Sequence, residues 1–157
     1  MSDNDGTVIT PGLRQMKESL KPGLTYQFKF RIPPTKTVPH LYPESQMFRE
    51  MPEVLATGYM VGLFEWACIE ALRPHLDWPR EQSLGTHVNF SHLAATPPGL
   101  TVTVDVKLES IEDRRLSFSI SAHDGVDKIS EGVHERVVID RARFVAKLGE
   151  KARRVGA

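Results

Sequence analysis

Residues 53–73, EVLATGYMVGLFEWACIEALR, are the one long stretch of the chain with helical periodicity, and they carry a carboxylate where an apolar residue is expected. Val61, Phe64 and Cys68, then Ala71 with Leu72, recur at three- and four-residue steps, which predicts a helix with one face on a core. Glu65 sits inside that pattern. One turn away lie Val61, Gly62, Cys68 and Ile69, so no cation on its own helix can pair with it, whereas Glu70 has Arg73 three residues on and reads as solvated surface. An ionised carboxylate at a core position is costly unless paired, so Glu65 requires a partner, a proton or a cavity to face. Gly58 and Gly62 each weaken a helix by about 1 kcal/mol relative to alanine. That cost is tolerated where another backbone or a ligand comes close, which predicts a tightly clasped helix.

Such a helix needs a surface to pack on, and the remaining periodicity is that of strands. Leu24, Tyr26, Phe28, Phe30 and Ile32 alternate with polar residues until Pro33 and Pro34 stop the run. A second strand is expected with Leu84, Thr86, Val88, Phe90 and His92 on its mainly apolar face. Leu100, Val102, Val104, Val106 and Leu108 form the clearest strand, introduced by the Pro97-Pro98-Gly99 turn. Leu116, Phe118, Ile120 and Ala122 form the next. Asp124-Gly125 is a two-residue hairpin signal. It leads into a last strand over about 126–139, in which Gly132 is a candidate bulge, and the last three strands are expected to form an antiparallel meander. One helix over one face of an antiparallel sheet is an α+β two-layer arrangement. A sheet curled round a central helix is the hotdog fold, the best of several α+β options on these residues alone. The exposed edges of such a sheet predict a dimer.

At 157 residues and 40% hydrophobic, the chain is one domain with enough apolar content for a real core. Residues 1–20 lack sustained periodicity and read as a flexible extension, with a short helical turn near 13–20; 21–147 read as the domain and 148–157 as a basic tail. The closing stretch RARFVAKLGEKARRVGA is expected to be a frayed surface helix. Lys plus Arg and Asp plus Glu balance at 20 each, so overall charge recruits neither nucleic acid nor an anionic membrane. Cys68, the one cysteine, excludes an intrachain disulfide and fits a reducing compartment, with packing as its expected role. With no apolar leader and no stretch near the roughly 20 apolar residues that span a bilayer, the expectation is a cytoplasmic protein.

Chemistry falls on a few residues, each with two readings. Glu65 is a candidate acid, base or nucleophile, and is read equally well as a structural partner of a distant residue. His92 near a strand end is by itself an ordinary structural imidazole, but gains weight beside Glu65. Thr57, at the expected helix start, reads as an N-cap or as a group beside backbone N–H donors that stabilise a developing oxyanion. On a continuous helix Thr57 and Glu65 stand about 12 Å apart along the axis. Either the helix begins after Thr57, near Gly62, or a site using both is completed across a subunit interface. The proline-punctuated segment 33–52, with Met47, Phe48 and Met51 at helical spacing, is a lid or a loop that covers the core edge. A metal site is rejected: His87 and His92, five apart on a strand, point to opposite faces, and His40, His75, His123 and His134 make no ligand cluster. His123-Asp124 reads as turn chemistry.

The stretches TKTVPHLYPES (35–45), PEVLATGYMVGLFEWAC (52–68), SLGT (83–86), HLAATPPGLTVTV (92–104) and SAHDGVDKISEGVHERVVI (121–139) closely resemble the bacterial fluoroacetyl-CoA thioesterase family, with likeness over about 24–147. The resemblance implies a homodimeric hotdog thioesterase acting on a short acyl-CoA, with no cofactor. It implies that Thr57, Glu65 and His92 are catalytic and that Gly85 and Arg136 stand around the site. It also implies a lid facing the acyl group with two phenylalanines. Phe48 matches the first, while Met51 replaces the second, so acyl groups larger than fluoroacetyl are expected to be accepted. The alternative from another class is a non-catalytic acyl-CoA-binding module.

Overall fold

The computed structural model describes residues 16–156. Its elements are β1 (Thr25–Arg31), α1 (Gln46–Arg49), α2 (Thr57–Leu72), β2 (Glu81–Phe90), β3 (Thr101–Glu112), β4 (Arg115–His123), β5 (Lys128–Asp140) and α3 (Arg141–Arg154). The strands make one sheet in the order β1-β3-β4-β5-β2, with every neighbouring pair antiparallel. β3, β4 and β5 form the expected meander. α2 lies across one face: Met60, Leu63, Phe64, Ala67 and Cys68 are buried with Val102, Val104, Val106 and Leu108 of β3 and with Leu116, Phe118 and Ile120 of β4. At the β1 edge, Phe28 and Phe30 clasp the Trp66 ring at centroid distances of 4.6 and 5.6 Å. Among the described residues, no helix is long and apolar enough to cross a membrane.

Several local expectations are corrected. α2 begins at Thr57 itself, its N-cap is Ala56, and no side chain caps it. The helix is therefore continuous through Gly62, and the option of a start after Thr57 falls away. A side chain at Gly58 would crowd Leu41 at 3.3 Å, as a clasped helix requires, but one at Gly62 would meet nothing within 4 Å. The β2 register shifts between Gly85 and His87, and this bulge reverses the phase of the strand. Before it, Glu81 and Ser83 are buried and Gly85 faces Glu65, so Leu84 and Thr86 do not share the inner face. After it, Phe90 points inward onto Phe64 at 5.0 Å.

The β4–β5 connection is longer than a two-residue hairpin. Asp124 takes backbone N–H bonds from Val126 and Asp127 on its own carboxylate, and accepts a third from the Thr96 hydroxyl at 2.9 Å. That spreads the turn over four residues between His123 and Lys128. The accompanying irregularity falls at Ala122/His123, and Gly132 is not a bulge. It is glycine because an added Cβ would lie 2.0 Å from the Asn89 carbonyl and 2.8 Å from the Phe90 ring. α3 runs unbroken past the expected 147/148 boundary, with Asp140 as its N-cap. Residues 16–20 are tied down: Leu20 is buried and the Lys17 N–H bonds the His75 carbonyl. A turn there ends with Leu20 N–H on the Lys17 carbonyl, and the rest of the expected extension, 1–15, lies outside the described residues.

Candidate active site

The start of α2 stands against the segment that follows β2. The Thr57 hydroxyl lies 2.8 Å from His92 Nδ1. The β2–β5 ladder holds His92 there, because it continues past the end of β2: Ser91 N–H bonds the Glu131 carbonyl and Leu93 N–H bonds the Ile129 carbonyl. Leu55 N–H, two residues before Thr57, bonds the Thr96 carbonyl, and so ties the two segments together. Burial pushes the His92 imidazole below its usual pKa, with the backbone of Ala94 opposing, so the ring is a neutral base near neutrality. Nε2 is buried and has no hydrogen-bond partner.

Glu65 meets its partner from across the sheet. Arg136 Nη1 donates to Glu65 Oε1 at 3.1 Å. The Arg136 side chain is 2% exposed and that of Glu65 is 40% exposed, so the carboxylate is not the core group expected but a surface group held from beneath. Every arm of the guanidinium is occupied. Nε donates to Ser83 Oγ at 2.8 Å, Nη2 to the Ser83 carbonyl at 2.7 Å, and Nη1 also reaches His134 Nε2 at 3.1 Å. His134 Nδ1 lies 2.8 Å from the His87 carbonyl, an acceptor only, so Nδ1 carries the proton and Nε2 accepts from Arg136. Burial, with the Arg136 charge adding to it, lowers the His134 pKa and keeps it neutral despite that carbonyl. Gly85 completes the group: an added Cβ would sit 2.5 Å from Glu65 Oε1 and 3.2 Å from His134 Cε1.

Thr57 with His92, and Glu65 with Gly85 and Arg136, are thus two clusters on one helix, separated by a rise of about 12 Å. The lid residues stand near the first. Ser45 caps α1 by accepting from Phe48 N–H, and Phe48 packs on Tyr42 at 5.7 Å. The Tyr59 hydroxyl bonds the His40 carbonyl at 3.1 Å, anchoring the lid segment to the first turns of α2. Met51 is half-exposed. An apolar cavity of about 250 Å³, lined by residues including Leu55, Tyr59, Leu63 and Trp66, opens along the same helix, and Gly62 forms part of its wall.

His134 and Ser83 were not singled out by sequence reasoning. The signal available was phase: His134 and Arg136 alternate with Val138 on the inner face of β5, a polar pair where the pattern calls for apolar residues.

The model of the fluoroacetyl-CoA-specific thioesterase family matches residues 39–142. A fluoroacetyl-CoA thioesterase from Streptantibioticus cattleyicolor is 57% identical over 136 residues, covering 87% of this chain and 97% of its own. A solved structure of the fluoroacetyl-CoA thioesterase FlK aligns with a TM-score of 0.82 at 57% identity, over 84% of this chain and 97% of that one. A Thermus thermophilus member of the thioesterase superfamily aligns with a TM-score of 0.75 at 27% identity, over 87% and 96%. The curled antiparallel sheet with its single central helix is the hotdog fold. By sequence over most of its length and by architecture, the chain belongs to the fluoroacetyl-CoA-specific thioesterase family.

Proposed function

We propose that this thioester hydrolase cleaves a short-chain acyl-CoA, fluoroacetyl-CoA among its substrates, to the free acid and CoA, using Thr57, His92 and Glu65. The observation that carries the reading is the Glu65 carboxylate, offered at the surface while its guanidinium partner is buried. Withdrawing a charged guanidinium from water is costly, and here it holds one oxygen of a surface carboxylate by a charge-assisted hydrogen bond. Glu65 acts as nucleophile or as base toward water, and His92 moves protons as general acid/base. Thr57 assists at the thioester carbonyl, where the uncapped N–H groups at the start of α2 favour the developing oxyanion. Phe48 and Met51 face the acyl group from the lid.

Acid/base groups must lie within about 3 Å of the atoms they serve, which two clusters separated along one helix cannot both do. The proposed enzyme is therefore a homodimer in which Thr57 and His92 of one protomer work with Glu65 of the partner subunit. The lone buried Cys68 suits a cytoplasmic setting.

Incubation with a panel of acyl-CoAs and a thiol-detecting reagent tests the activity; tight binding without CoA release would favour the binding module instead. Burial pushes the Cys68 thiol up to about 12, so it adds no background to the assay. Mixing Glu65→Gln with His92→Ala protomers tests the shared site. Each variant alone keeps about a hundredth of wild-type activity or less, while a random mixture holds one intact site in each heterodimer and recovers about a quarter of wild-type activity. No recovery in confirmed heterodimers would refute the shared site.

A further inference from the structure

Among the described residues, two buried side-chain polar atoms stand without hydrogen-bond partners: His92 Nε2 and Ser130 Oγ. The strand register brings their residues together. Phe90 pairs with Gly132, Ser91 N–H bonds the Glu131 carbonyl, and Leu93 N–H bonds the Ile129 carbonyl. His92 and Ser130 are therefore directly opposite in the continued antiparallel ladder, and opposite residues project to the same face. That face is the inner one, since Phe90 packs on Phe64 and Ser130 is 0% exposed. A buried hydroxyl and a buried ring nitrogen left unpaired each carry a desolvation penalty. Two of them across one ladder rung form a seat for one bridging water.

We propose that Ser130 is a positioning residue for His92: one water seated between the Ser130 hydroxyl and Nε2 accepts the Nε2–H and so keeps Nδ1 unprotonated toward the Thr57 hydroxyl. The inference rests on the catalytic reading of His92. The consequence is chemical: a neutral imidazole carries one proton, and only the tautomer with that proton on Nε2 presents a lone pair to Thr57. The Ala94 backbone lies near enough to influence the ring, but gives Nε2 no hydrogen bond. Ser130 belongs to neither cluster described above, and the register places it across the ladder from His92.

The test is ¹⁵N NMR of the histidine side chains together with turnover. In the wild-type protein, the His92 resonances are expected to show Nε2 protonated and Nδ1 not. The opposite tautomer would overturn the proposal whatever any variant does. In Ser130→Ala, a near-isosteric change, the two tautomers should mix and kcat should fall about 3- to 10-fold, as expected for one lost hydrogen bond, with KM nearly unchanged. In a His92→Ala background the same change should cost nothing further. An unchanged His92 spectrum in folded Ser130→Ala, or an equal loss of kcat without His92, would overturn it. The NMR readout does not depend on turnover, so failure of the catalytic reading of His92 would show separately, as full activity in His92→Ala.

Discussion

Gly85→Ala separates the chemistry of this site from its stability. The added methyl carbon would lie 2.5 Å from Glu65 Oε1, 3.2 Å from His134 Cε1 and 3.5 Å from Arg136 Nη1. His134 and Arg136 are buried and tied at several points, whereas Glu65 is the end of a flexible, half-exposed side chain, so it is the carboxylate that yields. To regain ordinary contact it retreats by about 1 Å. The 3.1 Å bond to Arg136 then opens to about 4 Å, beyond hydrogen-bonding range. Arg136 is buried, but it keeps its bonds to Ser83 and His134, and water can reach the place of the 40%-exposed Glu65, so the lost ion pair costs about 1–2 kcal/mol of stability, and alanine's smaller loss of backbone entropy on folding offsets part of that. A displacement of that size at a reacting group costs about 10²-fold in rate. The expected result is a cooperative thermal transition within a few degrees of wild type and kcat/KM for a short acyl-CoA lowered about 10²-fold. Wild-type kcat/KM in the folded variant would refute the placement of Glu65 in the chemistry, and loss of the fold would refute the argument that Glu65 is the group that moves.

Glu65→Gln keeps the shape and removes the charge, and should lower kcat by about 10²-fold or more with an unchanged circular dichroism spectrum; near wild-type turnover would remove Glu65 from the mechanism. Since burial lowers the His92 pKa, the neutral base persists to more acidic pH than a free imidazole near 6.5. The acid limb of kcat/KM should accordingly fall below that value, and a limb above it would contradict the assignment. Met51→Phe replaces a flexible thioether by a rigid ring, and a pocket discriminates one methylene by about 1–3 kcal/mol. The ratio of kcat/KM for butyryl-CoA to that for acetyl-CoA should drop in the variant, and parallel acyl-chain profiles would show that Met51 does not face the acyl group.

What was legible in the sequence is what one-dimensional pattern encodes. Val102, Val104, Val106 and Leu108 alternate because one face of β3 is covered by α2, and the strand appears where expected. The Asp124 turn misled because the side chain competes for backbone donors, which a dipeptide signal does not reveal. The β2 phase misled for a similar reason: one extra residue between Gly85 and His87 reverses every later side chain, and nothing in LGTH marks it. Glu65 was conspicuous for lacking a partner on its own helix, yet the partner lies 71 residues away on β5. Family likeness placed Arg136 around the site without naming it as that partner, and His134 and Ser83, which lock the guanidinium, went unnoticed because each is ordinary in isolation.

The separation along α2 also bears on how activity responds to concentration. In the proposed dimer, a two-fold axis makes the interface isologous, so Thr57 of one protomer facing Glu65 of the partner subunit implies the reciprocal pair at the second site. Both sites then form or fail together with the dimer. A monomer retains the Thr57–His92 pair and the Glu65–Arg136 pair intact, because each is built within one chain. It is nonetheless inactive, since neither pair can reach the other's substrate atoms. Specific activity should therefore fall on dilution in parallel with the dimer fraction measured by light scattering. Undiminished specific activity in a monomer would mean that one chain brings Glu65 and His92 to the same thioester, which the continuous helix through Gly62 forbids.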